Sequence, residues 1–173
     1  HAAGLHAAPE LLLETIQGER LLRFLPRNDG PPEIEVDMGV PQWRAAAIPA
    51  QGPADPMVDV PLCVAGEDLR LTSLSTGTAH TLLFREELPD DALFFEASPA
   101  IEHHPWFPER TSVLWCRVEE YGRLRLRIWE RGVGETLACG SGVCAAAAAA
   151  DRHGLAGDRV EVVCPGGAFQ VRR

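Results

Sequence analysis

Apolar and acidic positions alternate through "EIEVDMG", Glu33 to Gly39, and that period of two predicts a strand with one face toward a core. Upstream, "ELLLETIQGERLLRFL" predicts two short strands around Gln17–Gly18, and "RNDGPP" a turn-rich linker to the third. The opening "HAAGLHAAPE" reads as the tail of a helix followed by a turn. Strand periodicity stops at Asp37–Pro41, where a stretch rich in Pro, Ala and Gln begins, so a lobe boundary is expected between residues 38 and 39.

Beyond the boundary, "DLRLTSL" and "HTLLF" predict strands flanking a small-residue turn, "STGTA". "DALFFEASPAIEHH" predicts a helix, and "SVLWCRVEE" with "RLRLRIWE" a hairpin across Tyr121–Gly122. The run Ala145 to Ala150 predicts a long helix closed by Gly154, and "DRVEVVCPGGAFQVRR" a last hairpin turning at Gly166–Gly167. Strands dominate, so the fold class is α+β, an antiparallel, barrel-like sheet around a buried helix. Alanine suits that helix: it is the best helix former, and its short side chain lets strands approach the axis closely.

Composition narrows the function. A formal charge of -9 argues against a nucleic-acid or anionic-membrane surface, both of which need clustered Lys and Arg. Arg123, Arg125 and Arg127 alternate as the wet face of a strand would. No apolar run reaches the ~18 to 20 residues of a membrane helix, and the expected location is cytoplasmic. Five cysteines at irregular spacings without a C-x-x-C pair give neither a disulfide framework nor a structural zinc site. Cys63, Cys116 and Cys164 lie in apolar strand-like runs and are expected to be buried and inert, and Cys144 to face the core.

Cys139 differs, because Gly140 and Ser141 follow it at the start of the alanine helix. Unpaired N–H groups and the helix dipole favour negative charge there, so the thiol is expected to lose its proton readily and act as a base or nucleophile. The same N–H groups and the Ser141 hydroxyl offer an anion site for a carboxylate. A buried free cysteine at a helix start is the plain alternative, but Glu130 and Arg131 at a strand end, beside Gly132-Val133-Gly134, add charge toward the same point. Phosphate-loop and dinucleotide-loop patterns are absent. Adjacent His103 and His104 before Pro105 make a helix-ending turn rather than a metal site. His80, read alone, is a strand-edge histidine with a backbone or solvent partner.

"ERGVGETLACGSG" closely resembles the C-terminal catalytic signature of the diaminopimelate epimerase family. "LLLETIQGE", "IEVDMGVP", "STGTAH", "AIEHHPWFPER" and "CPGG" fall in the order that family uses. The resemblance implies two similar α+β lobes with the active site between them, each contributing one cysteine at a helix N-terminus. It implies a cofactor-independent inversion of an α-carbon: one thiolate removes the proton, and the opposing thiol delivers another to the other face. On this reading residues 1–38 are the remainder of a first lobe, 39–166 the catalytic second lobe, and 167–173 a strand returning to the first. The implied partners are an amino-acid substrate, the missing first lobe and a second copy in a homodimer, with no metal, nucleic acid or membrane. Cys139 becomes one of the two acid/base cysteines, with Glu130 and His80 as polar partners tuning the cysteines. Glu130, Arg131, Gly140, Ser141, Thr78 and Ser112 become substrate contacts.

The match departs from the family at three places. The family's G-N-P-H motif appears as Gly77-Thr78-Ala79-His80, and the asparagine expected after "FPERT" is Ser112. Thr and Ser keep a hydroxyl but lose the paired donor and acceptor of an amide. The first-lobe signature, a cysteine in a C-G-N-G-like turn, is absent from these 173 residues. Besides diaminopimelate epimerase, two readings therefore stand: a racemase or epimerase of another amino acid on the same fold, and a catalytically incomplete fragment that only binds a carboxylate or a partner.

Overall fold

A computed structural model describes residues 9–15, 18–27 and 32–172, which fall into two compact units, 1–39 and 40–173. The opening residues 1–8 and most of the linker at 28–31 lie outside the described residues, as does Gln17 of the first expected turn.

The first unit is a three-stranded antiparallel sheet. β1 (Glu10–Thr15) pairs with β2 (Gly18–Leu25), and β2 with β3 (Glu33–Val36). Arg23, on the central strand, bridges Glu10 on one neighbour and Glu35 on the other, which matches charges across the sheet.

The second unit holds a sheet in the order β11-β10-β8-β7-β6-β5-β4, with β9 paired to β8. Its strands are β4 (Val60–Val64), β5 (Glu67–Ser75), β6 (Ala79–Arg85), β7 (Ser112–Glu120), β8 (Arg123–Glu130), β9 (Gly134–Thr136), β10 (Arg159–Cys164) and β11 (Gly167–Arg172). Helix α1 (Asp91–Glu102) connects β6 to β7, and α2 (Gly140–Arg152) lies between β9 and β10. The sheet is mixed rather than antiparallel: β6 runs parallel to β7, and β8 parallel to β10. Both departures have one cause, since a crossover helix returns the chain to the same end of the sheet and sends the next strand the same way.

Alternation along the strands separates two cores. Leu82, Leu114, Leu126, Val160 and Val162 face α2, whereas Leu83, Val113 and Trp115 face α1 with Phe94 and Ile101. A sheet covered on both faces explains why β6 and β7 read as nearly unbroken apolar runs. α2 contacts β5, β6, β7, β10 and β11, and Ala145 to Ala150 are all buried. Its C-terminus closes as expected: Gly154 sits at φ +70, its N–H reaches Asp151 O at 2.8 Å, and Leu155 N–H reaches Ala150 O at 2.8 Å.

Four local expectations are corrected. Cys63 is exposed, because on edge strand β4 Val60 and Leu62 point inward and Cys63 outward, opposite Asp68. Cys144 is half-buried. Arg127 is not on a wet face: its guanidinium lies 3.8 Å from the Phe94 ring centroid and pairs with Asp91 and Glu135. The last hairpin turns one residue early, because Cys164 pairs with Gly167 and leaves Pro165–Gly166 as its loop. Cys116 and Cys164 are buried as expected, and burial pushes the Cys164 thiol up to about 11.

Replacing Ala146, fully buried in α2, with Leu adds three carbons where strands meet the helix. The expected outcome is a loss of about 2 kcal/mol, read as a fall in Tm of several degrees by calorimetry.

Candidate active site

The site grows from the start of α2. Cys139 is the N-cap residue, extended at φ -142 and ψ 109, so its side chain lies beside the first free N–H groups of the helix. Gly142 keeps this spot open: a Cβ there would stand 3.3 Å from Cys139 Sγ and 3.2 Å from Leu114. The turn Cys164–Gly167 packs behind, with Gly166 N–H donating to Leu137 O at 2.8 Å.

Two segments bring polar groups to this point. The loop after β5 supplies Thr76, whose hydroxyl donates to Ser141 O at 3.0 Å, and Thr78, whose Oγ1 lies 3.0 Å from His80 Nε2. His80 Nε2 also meets Ser141 Oγ at 3.1 Å, and Ser141 Oγ stands 3.5 Å from Cys139 Sγ. The end of β8 supplies Glu130, which accepts from the Thr136 hydroxyl at 2.7 Å and whose carboxylate lies beside the Cys139 thiol. Arg131 follows; its N–H donates to Ser112 Oγ at 3.1 Å and its guanidinium to Glu109 O at 3.0 Å. Gly132 and Gly134, at φ +74 and +99, let the chain double back into β9 so that Thr136 reaches Glu130.

All eight sequence-predicted residues thus lie on four segments of one unit: 78–80, the start of β7 at Ser112, 130–131 and 139–141. Cys139, Glu130, Ser141, His80 and Thr78 form a linked cluster with Gly140 at its helix start, whereas Ser112 reaches it through the Arg131 backbone. Sequence reasoning missed the roles of Thr76 and Thr136 and the buried hydroxyl chain Ser73–Thr81–Thr111, linked at 3.0 Å per step, that runs beneath the loop. Alternating hydroxyls on β5 and β6 were its only trace, and isolated Ser and Thr in strands are ordinary. His103 and His104 end α1 as expected, His103 Nδ1 lying 2.9 Å from Pro99 O. Among the described residues, no group of three His, Cys, Asp or Glu side chains converges on a metal site, and no helix is long and apolar enough to cross a membrane.

Electrostatics correct one expectation. Cys139 is not a low-pKa thiol: burial pushes it above its ordinary value. The Ser141 hydroxyl and the Gly142 N–H pull it down without overcoming burial, and the adjacent Glu130 carboxylate adds to the rise. His80 is fully buried and not a strand-edge residue open to solvent. Burial first, and the Arg131 charge second, lower its pKa to about 4, and its Nδ1 has no hydrogen-bond partner among the described residues. Neutral imidazole is therefore the form the fold holds at neutral pH.

Two measurements follow. A base whose folded pKa falls from 6.5 to about 4 stabilises the fold above pH 6.5, and that stability drains away as pH falls toward 4. Chemical denaturation should show a loss of about 3 kcal/mol across this window, absent in His80→Gln. Removing the negative neighbour in Glu130→Gln should lower the Cys139 pKa and raise its alkylation rate by iodoacetamide at pH 8 about threefold to tenfold, read by peptide mass spectrometry.

The family model described as diaminopimelate epimerase matches residues 72–172. The diaminopimelate epimerase of Moorella thermoacetica is 38% identical over 171 residues, 99% of this chain and 61% of the relative. That of Desulforudis audaxviator is 41% identical over 169 residues, 97% of this chain and 60% of the relative. The chain thus spans about 60% of the length of these relatives. Among solved structures, a probable proline racemase from Agrobacterium radiobacter K84 with bound carbonate superposes with a TM-score of 0.67 at 17% identity, covering 95% of this chain and 52% of its own. A hydroxyproline epimerase from Agrobacterium vitis gives 0.63 at 16% identity, covering 97% and 53%, and both likenesses concern the fold. The matched span holds every member of the Cys139 cluster, from Thr76 through Glu130 to Ser141, and the chain belongs to the diaminopimelate epimerase family.

Proposed function

We propose that this chain carries the second catalytic lobe of a cofactor-independent epimerase that inverts one α-carbon of diaminopimelate, a step of lysine biosynthesis, in the cytoplasm. Cys139 is one of its two acid/base thiols. The observation that carries the reading is the placement of a buried thiol at the start of α2, beside Ser141 and Glu130. Residues 1–38 are the end of a first lobe and 39–166 the second; the rest of the first lobe, from the same gene or a separate chain, supplies the opposing cysteine, and two copies associate as a homodimer.

The chemistry asks for what the site holds. An α-proton is weakly acidic, so its removal needs a base, a neutralised carboxylate and little water. The N–H groups of Gly140 and Ser141 receive the carboxylate at the helix start, where the dipole favours it. Arg131 and Glu130 contact the substrate with opposite charges. Cys139, its pKa raised, rests as the thiol, the proton-donating form; the opposing thiolate takes the α-hydrogen from one face as Cys139 delivers its proton to the other. One C–H bond breaks, one forms, and the thiol and thiolate roles have exchanged. His80, held neutral, keeps a second positive charge away from Arg131.

One observation favours a different amino acid as substrate. Thr78 is engaged with His80, and Ser112 accepts the Arg131 N–H, so both hydroxyls already have partners within the chain. The test incubates the full gene product in deuterated water with LL- and meso-diaminopimelate and a panel of amino acids. Diaminopimelate should gain α-deuterium and invert, and Cys139→Ala should slow this about 10²–10⁴-fold. Exchange with other amino acids alone selects the second reading; no exchange, or exchange undiminished by Cys139→Ala, overturns both and leaves a lobe that only binds.

A further inference from the structure

Glu102 ends α1, outside the cluster at Cys139, with a side chain only 3% exposed. A carboxyl group buried so deeply is costly unless donors satisfy it. Its Oε2 accepts from the Trp129 indole N–H at 2.7 Å, its Oε1 from the Gly132 backbone N–H at 2.8 Å, and Arg110 stands 3.7 Å from Oε1. Packing alone would be served as well by an apolar side chain, without the desolvation cost.

The donors say what the carboxyl is for. Trp129 immediately precedes Glu130, and Gly132 immediately follows Arg131, so the two oxygens bracket the charged pair that the site presents. The opposite side of the same turn is held by Ser112 and Glu109, which accept from the Arg131 backbone and guanidinium. Arg110, between Glu109 and the hydroxyl chain, sits at φ +64, a left-handed conformation that a bulky residue keeps only where its surroundings hold it. Strain beside a buried carboxyl clamp marks this junction of α1, the 109–112 segment and the 129–132 turn as a place where position matters more than stability.

We infer that Glu102 is a positioning residue that fixes the Glu130–Arg131 turn and so sets the distance of the Glu130 carboxylate from the Cys139 thiol. The inference rests on the proposed pairing of Cys139 with Glu130, though not on the identity of the substrate. Releasing the turn lets Glu130 withdraw, and the thiol then loses a neighbour that holds its proton on.

The test reads the thiol directly in the full gene product, by the pH profile of Cys139 alkylation with iodoacetamide followed by peptide mass spectrometry. Glu102→Gln keeps the volume but turns an amide N–H₂ toward one of its two N–H donors, removing one bond of the bracket. The profile should move to lower pH, in the direction set by Glu130→Gln and by less than that variant's own shift. In the Glu130→Gln background, Glu102→Gln should change the rate less than twofold. Trp129→Phe, which removes one donor and leaves the carboxyl in place, should give a smaller shift of the same sign and stands in if Glu102→Gln does not fold. A folded Glu102→Gln or Trp129→Phe whose profile superimposes on the parent overturns the inference. An equal shift with and without Glu130 overturns it too, since general loosening would act that way. Absence of amino-acid exchange alongside the expected shift overturns the epimerase reading and leaves this one standing.

Discussion

The structure turns on the close packing of strands against one thin helix. α2 can lie against five strands only because its side chains stop at Cβ from Ala145 to Ala150, and any larger residue there would push the sheet away. The cover reaches the N-terminus only in part: Cys139 and Gly142 are buried, Ser141 is half-buried and Gly140 is exposed, so the free N–H groups of the first turn stay within reach. Cys139 caps that end, and its high proton affinity follows from the cover. The alanines let strands close on the helix, and the thiol at its start is buried in the same core cluster.

Desolvation then dictates the neighbours. A buried polar group must find a partner, and the cluster solves this with short hydroxyls: Thr76 on Ser141 O, Thr78 and Ser141 on His80. Hydroxyls can donate or accept, so the network tolerates a proton arriving at or leaving Cys139 without stranding a charge. His80 stays neutral because both burial and Arg131 oppose its protonation. A positive imidazole in its place would put a second cation beside Arg131, a repulsion the fold avoids by keeping His80 neutral.

Local order was legible where the signal was local. The period-two run at Glu33–Val36, the hairpin at Tyr121–Gly122 and the helix ended by Gly154 each follow from neighbours in sequence. The parallel pairings of β6 with β7 and β8 with β10 were not, because a crossover fixes direction through three-dimensional packing that periodicity does not encode. The same division holds in the site. Cys139, Ser141, Glu130 and Arg131 announced themselves by their place at a helix start and a strand end. The pKa of Cys139 did not: sequence supplies the donors at the helix start, and only the fold supplies the burial that outweighs them. Glu102 was hidden as the last residue of a helix whose donors lie far away in sequence, and His80 came into view only through the family resemblance, since its partner Ser141 is equally distant.

A raised thiol pKa suits carbon acid chemistry better than the lowered one that the helix dipole alone would give. Proton transfer from carbon to sulfur is uphill by the difference between the two pKa values, and each unit by which the thiol rises removes about 1.4 kcal/mol of that climb. A strongly acidic thiol would be ionised throughout and would make a poor base against an α-proton, whereas nucleophilic cysteines profit from a lowered pKa because their task is attack rather than deprotonation. The cost of a high pKa is that the thiolate is scarce in the free protein. The two-thiol mechanism proposed above would meet that cost, because one sulfur would rest as thiol while the other holds the charge. Glu130 acts in the same direction as burial, the larger cause: its carboxylate adds to the rise of the Cys139 thiol.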